Sequence, residues 1–173
     1  EAGHAIVTHT LPKMDPVHRI SIVARSRSLG QTEISLPDRS HETKSRLLQQ
    51  ITTLLGGRAA ETVVFNDISA GAADDIKKAT MIVKAMVVEL GMGELGPINF
   101  GPDTSMGDFG QMEWYEQSSI SPAMQEKIDN EAKEMIDKCF KEAIAIIKKH
   151  RKTLDKIAGK LLEKETLDKD EFE

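Results

Sequence analysis

The sequence is short of several things, and each shortage excludes a class of protein. It has one cysteine, Cys139, in 173 residues, so no internal disulfide can staple the fold and a reducing compartment is expected. Cys139 stands beside Phe140 in a helical pattern, where a small buried core residue is expected rather than a reactive thiol. Positive charge is in deficit: 23 Lys and Arg against 28 Asp and Glu leave a net charge of −5. That argues against a nucleic-acid binder and gives no reason to expect anionic lipid as a direct partner. No apolar run approaches membrane-spanning length and no signal peptide precedes the first helical pattern, so any membrane anchor is expected outside this sequence. A G-x-x-x-x-G-K-S/T phosphate loop is also missing, which excludes ATP binding by that route. There are no internal repeats and no low-complexity tracts.

What is present reads as a mainly α domain with a small β-hairpin or sheet and a helical C-terminal part. The length suits one core and a single domain over 1–173. A helix is expected from Glu1 to Leu11, ended by Pro12 and Pro16, and a strand from Arg19 to Arg25 with Ile20, Ile22 and Ala24 on one face. A second strand follows over Gln31 to Leu36. The next helix is expected from Ser40 to Phe65, with Leu47, Leu48, Ile51, Leu54 and Leu55 on its apolar side. Gly56-Gly57 in its middle costs helix propensity, so the pair is expected to permit close packing against another helix or the active site. Ala72 to Leu90 reads as a helix stopped by Gly91, and Gly91 to Ser119 as a long loop rich in Gly, Pro, Asp and Ser. Ser121-Pro122 is an N-cap and first-turn pair for a long helix through His150. Another helix is expected from Lys152 to Leu162, and one more starting at Thr166.

The chemistry begins at the first residue. Glu1-Ala2-Gly3-His4-Ala5 matches the tail of an H-E-x-x-H motif whose first histidine would precede Glu1. Two histidines four apart lie one turn apart on a helix face and can share one zinc ion, while the glutamate leans toward the metal-bound water. Zinc lowers the pKa of that water to about 7, so a carboxylate can take its proton. Glu1 is therefore the candidate general base and His4 a candidate metal ligand; a helix start with Glu1 serving the macrodipole and His4 exposed is the plain alternative.

Four further blocks stand in register with this opening: Leu11-Pro12-Lys13-Met14-Asp15-Pro16-Val17-His18-Arg19-Ile20-Ser21-Ile22, Leu54-Leu55-Gly56-Gly57-Arg58-Ala59-Ala60-Glu61, Ser69-Ala70-Gly71-Ala72-Ala73-Asp74-Asp75-Ile76-Lys77-Lys78-Ala79-Thr80 and Glu89-Leu90-Gly91-Met92. In this order and spacing the chain resembles the peptidase domain of the FtsH family, membrane-anchored AAA zinc proteases with a zincin-like metallopeptidase fold. The resemblance covers essentially the whole chain. It implies that Asp75 is the third zinc ligand, in a block where the family more often has asparagine at the position of Asp74. Two acids in the first turn of a helix would also favour its macrodipole without any metal. Glu61 is the competing ligand, and its reading here is a partner that orients a ligand histidine by hydrogen bond.

Leu29-Gly30-Gln31-Thr32 is a candidate substrate-binding edge, because proteases commonly hold an extended substrate along an exposed strand; Gly30, Gln31 and Thr32 are its substrate-binding candidates, and an ordinary hairpin is the alternative. His9, His18, His41 and His150 are expected as solvated or hydrogen-bonded surface residues. The resemblance also implies Zn2+ as cofactor, with ATP acting only through an AAA module outside this sequence. It implies unfolded or membrane proteins as substrates, a homo-hexamer, and a parent protein at the cell inner membrane with this domain in the cytoplasm, or the organellar equivalent. Ile136, Phe140, Ile144 and Ile147 suit intersubunit packing or the chain's own core equally. A rival expectation is a fragment lacking a zinc ligand that acts only as a helical oligomerisation domain, since the motif is cut before Glu1 and the last helix is cut at Glu173.

Overall fold

The computed structural model describes residues 1–23, 31–34, 42–101 and 120–172. Helix α1 spans Ala2–Thr10, strand β1 Val17–Ser21 and strand β2 Gln31–Ile34. Helices α2 (Lys44–Leu54), α3 (Gly56–Phe65) and α4 (Ala73–Val88) follow, the last entered through a 3-10 turn at Ala70–Ala72. Beyond it come α5 (Pro122–Lys149), α6 (Arg151–Lys164), strand β3 (Thr166–Asp168) and the short α7 (Lys169–Phe172).

The expected elements appear with three differences. The first strand covers Val17–Ser21 where Arg19 to Arg25 was expected; Ile22 lies past its end, and Ala24 and Arg25 lie outside the described residues. The helix expected over 40–65 is two, broken at Leu55, which caps both at φ −80°, ψ −4°. Thr166 opens a strand instead of a helix. Glu165 takes a left-handed conformation at φ 62°, which turns the chain out of α6 and lays Thr166–Asp168 along the open side of β1. The sheet therefore has three antiparallel strands in the order β2-β1-β3. His150, expected at the surface, is half-buried, with its Nε2 covered and without a hydrogen-bond partner among the described residues. His9 and His18 are exposed, and His41 lies outside the described residues.

Strand β1 is buried on one face although Val17 and Ile20, three apart, would fall on opposite faces of a regular strand. A register shift between Val17 and Arg19 turns both inward, as a bulge does. Ile20 pairs with Thr32 on one side and with the fully buried Leu167 on the other.

Helix α5 is the spine. Ser121 Oγ accepts from Met124 N and Pro122 fills the first turn, as the sequence signalled. Its Ala143 and Ile147 enter a core made by α1, β1, α3, α6 and β3, and its Ile128, Met135 and Cys139 enter a second core made by α2 and α4. Phe140 packs against both. Burial pushes the Cys139 thiol up from its ordinary pKa, in keeping with a core residue. Ile136, Ile144 and Ile147 are likewise used within the chain.

A second anchor holds the turn after α1. Arg46 of α2 pairs with the buried Asp15 at 2.6 Å and with Glu42 at 2.9 Å, and also donates to the Lys13 carbonyl. With its guanidinium mostly covered, this fork fixes where β1 begins relative to α2.

Helix α1 crosses α3 at close range because both present small residues. A Cβ on Gly3 would lie 2.6 Å from the Gly56 carbonyl oxygen and 2.7 Å from Ala60 Cβ. Gly3→Ala is accordingly expected to destabilise the chain by about 1–3 kcal/mol, since backbone rather than a flexible side chain must give way; urea unfolding of the variant measures it, and an unchanged midpoint would refute the crossing.

Candidate active site

The first turn of α1, the α2–α3 junction and the N-terminus of α4 meet at one place. Glu1 precedes the helix and its carbonyl accepts from Ala5 N at 3.1 Å, so its side chain and that of His4, three residues on, lie on neighbouring parts of one face. His4 Nδ1 lies 2.9 Å from the Thr53 carbonyl oxygen. A carbonyl can only accept, so Nδ1 carries the proton and Nε2 presents its lone pair. Thr53 stands in the last turn of α2, where carbonyls lose their intrahelical partners, and the break at Leu55 is what makes it available.

Nε2 of His4 faces Asp75 Oδ2 at 3.1 Å. With Nδ1 already donating, a neutral His4 and an ionised Asp75 meet acceptor to acceptor, an arrangement that needs a cation between or beside them: a proton or a metal ion. Two ligands of a tetrahedral zinc with bonds of about 2.0–2.2 Å stand about 3.3–3.6 Å apart. The observed 3.1 Å is a hydrogen-bond distance that a small outward movement would bring into that range. With a proton as that cation, Nε2 donates to the carboxylate and this hydrogen bond holds the Asp75 carboxyl below its usual range against the opposing effect of burial, while Lys78, 3.8 Å from Oδ1, adds to the lowering.

Gly57 completes the cradle. A Cβ there would sit 2.6 Å from His4 Nε2, so only glycine leaves room for the imidazole edge that would face a metal. Among the described residues no cluster of three or more His, Cys, Asp or Glu forms a complete metal site. His4 and Asp75 could supply two ligands, and a hydrolytic zinc takes three from protein.

Glu61 is used differently from these two. Its carboxylate accepts from Ser69 N at 3.3 Å and from Ser69 Oγ, and lies 3.4 Å from Arg58. Ser69 Oγ in turn caps Gly71 N. The group braces the corner from which α4, and with it Asp75, is launched. The described partner that orients His4 is instead the Thr53 carbonyl, which no side-chain pattern could have signalled. Asp74 is exposed beside Asp75 in the same first turn. Thr32 of β2 donates from Oγ1 to Glu1 Oε2 at 2.8 Å. Gln31 lies beside it on the same strand, and Gly30 lies outside the described residues.

A family model described as peptidase family M41 matches residues 1–173. The chain belongs to that family. Among its M41 relatives, the ATP-dependent zinc metalloprotease FtsH of Thermotoga maritima is 46% identical over 176 aligned positions, covering 99% of this chain and 28% of the relative. FtsH 3 of Symbiobacterium thermophilum is 41% identical, covering 100% of the chain and 28% of the relative. FtsH 1 of Thermomicrobium roseum is 43% identical, covering 100% and 27%. The resemblance to the FtsH peptidase domain is thus borne out, and the chain spans only about a quarter of the length of these curated relatives.

Gly57→Ala is expected to weaken zinc binding by roughly 10- to 100-fold through displacement of the His4 ring. Competition against a chromophoric chelator measures this, and unchanged affinity would show that the imidazole does not use that space.

Proposed function

We propose that this chain is the proteolytic part of an ATP-dependent zinc metalloprotease that hydrolyses peptide bonds of unfolded or membrane proteins. The observation that carries the reading is the pair of acceptors, His4 Nε2 and Asp75 Oδ2, held 3.1 Å apart beside Glu1 in a chain of family M41. His4 and Asp75 hold the metal, and the H-E-x-x-H pattern puts the third ligand on a histidine preceding Glu1 in the parent protein.

When bound, zinc supplies a Lewis acid that polarises the scissile carbonyl and lowers the pKa of a bound water to about 7. Glu1 would be the base that takes a proton from water and passes it to the departing amine nitrogen. The Thr53 carbonyl, by accepting from Nδ1, turns His4 Nε2 toward Asp75, where the two would hold the metal and Asp75 would offset part of its charge. Glu61 serves the site from behind, by fixing the Ser69 corner and so the start of α4.

Substrate binding is assigned to the side of β2 away from β1, which has no strand partner among the described residues, with Gln31 and Thr32 on that strand and Gly30 next to it in sequence. Main-chain pairing along that edge is indifferent to side-chain identity, which suits broad specificity. Selection then rests with whatever delivers the substrate. The relatives are named ATP-dependent, while this sequence has no phosphate loop, so ATP acts through an AAA module elsewhere in the parent protein. The same reading makes the assembly a homo-hexamer anchored in the inner membrane by segments outside this chain, with the peptidase part in the cytoplasm or its organellar equivalent. No helix among the described residues is long and apolar enough to cross a membrane. The assembly-only alternative gains no support from Ile136, Phe140, Ile144 and Ile147, which pack within the chain itself.

The test is made in the full-length protein. Asp75→Asn should lose both stoichiometric zinc and hydrolysis of an unfolded protein, whereas Glu1→Gln should keep zinc and lose turnover by roughly 100-fold or more. Zinc retained at full affinity in Asp75→Asn would transfer the ligand role to another residue, and an active Glu1→Gln would end the general-base assignment.

A further inference from the structure

We propose that Thr32 is a positioning residue that holds the Glu1 carboxylate for proton transfer, an inference that rests on the reading of Glu1 as general base. A glutamate side chain rotates about three bonds, so its carboxylate is not fixed by the backbone that carries it. A base must nonetheless lie within hydrogen-bond reach of the proton it takes. The structure supplies the restraint from another element: Thr32 Oγ1 donates to Glu1 Oε2 at 2.8 Å in a partly buried setting. The Glu1 main-chain oxygen lies 3.4 Å from the same hydroxyl.

The donor is itself well held. Threonine is branched at Cβ and stiff about χ1. Thr32 stands directly opposite Ile20 of β1, and cross-strand partners share a face of the sheet. Ile20 is fully buried in the core that contains Ala2, Ala5 and Ile6 of α1, so Thr32 projects toward the side on which α1 lies. Anchoring Oε2 leaves Oε1 for the water proton and divides the two oxygens between support and chemistry. The hydroxyl has one hydrogen to give, and here it is given to Glu1.

One strand then does two jobs. The outward edge of β2 is the surface assigned to extended substrate, and its Thr32 side chain reaches the base. A peptide paired to that edge fixes the strand and, with it, the hydroxyl that aims Glu1, so docking and orientation of the base are set by the same element. The contribution is to turnover rather than to substrate or metal affinity.

The experiment compares Thr32→Val, Thr32→Ser, Glu1→Gln and the Glu1→Gln/Thr32→Val double variant in the full-length ATP-dependent protein, measuring zinc content, thermal transition, and kcat and KM on a fluorogenic peptide. Thr32→Val is nearly isosteric and should lower kcat by roughly 10- to 100-fold, with KM within about twofold of the parent and zinc stoichiometric. Thr32→Ser, which keeps the donor, should restore most of the turnover. The double variant should be no slower than Glu1→Gln, because the hydroxyl acts only through the carboxylate. Parent-like kcat in Thr32→Val alongside an inactive Glu1→Gln overturns the inference and leaves the base assignment standing. Loss of zinc or of the thermal transition in Thr32→Val, or equal losses in the valine and serine variants, assigns Thr32 a structural role and also overturns it. Full activity in zinc-loaded Glu1→Gln removes the base assignment itself.

Discussion

The close crossing of α1 over α3 is the constraint on which the rest of the site depends. Gly3 and Gly56 let the two backbones touch, and that contact sets the height of α1 above the α2–α3 junction. At that height the His4 ring reaches the Thr53 carbonyl with one nitrogen and passes over Gly57 with the other. A larger separation would open the hydrogen bond that fixes the tautomer; a smaller one is sterically forbidden. The orientation of the imidazole is thus a by-product of helix packing, and little else in the neighbourhood needs to be tuned.

Asp75 arrives from the other half of the molecule. Helix α4 belongs with α2 to the second core, whereas α1 belongs to the first, and α5 runs through both. The His4–Asp75 pair consequently spans a seam between two packed clusters that α5 and the α2–α3 junction bridge. Glu61 ties that seam on the surface by bracing Ser69 from α3, which limits how far the start of α4 can drift from α1. Helices on both sides hold His4 and Asp75, the support that a precise metal site would need.

Much of this was legible in the residues, and what was not has identifiable causes. Helix starts with local chemistry, such as Ser121-Pro122, were readable because the capping atoms are neighbours in sequence. Gly56-Gly57 announced a close approach, though nothing in the pattern said that the object approached was the imidazole. The acid of the Asp74-Asp75 pair that meets His4 could be named only by resemblance, since both occupy one helical turn and only the fold decides which points inward. Thr53 gave no signal because its contribution is a main-chain carbonyl, identical in every residue type. Thr166–Asp168 read as a helix because Asp, Lys and Glu surround it, and the open side of β1 that claims it lies almost a whole chain away.

That last pairing has a consequence for how the molecule is made. The middle strand of the sheet is separated from one of its two neighbours by most of the domain, Thr166 following its partner Ser21 by 145 residues. Contacts between such distant segments form late and slowly. Until β3 docks, Ile20 lacks the Leu167 that seals it, and the strand that carries Thr32 hangs on a sheet with one side open. A nascent chain therefore holds Thr32 on an unfinished sheet until the segment after α6 has emerged, so this edge is completed only after all the long helices have been made.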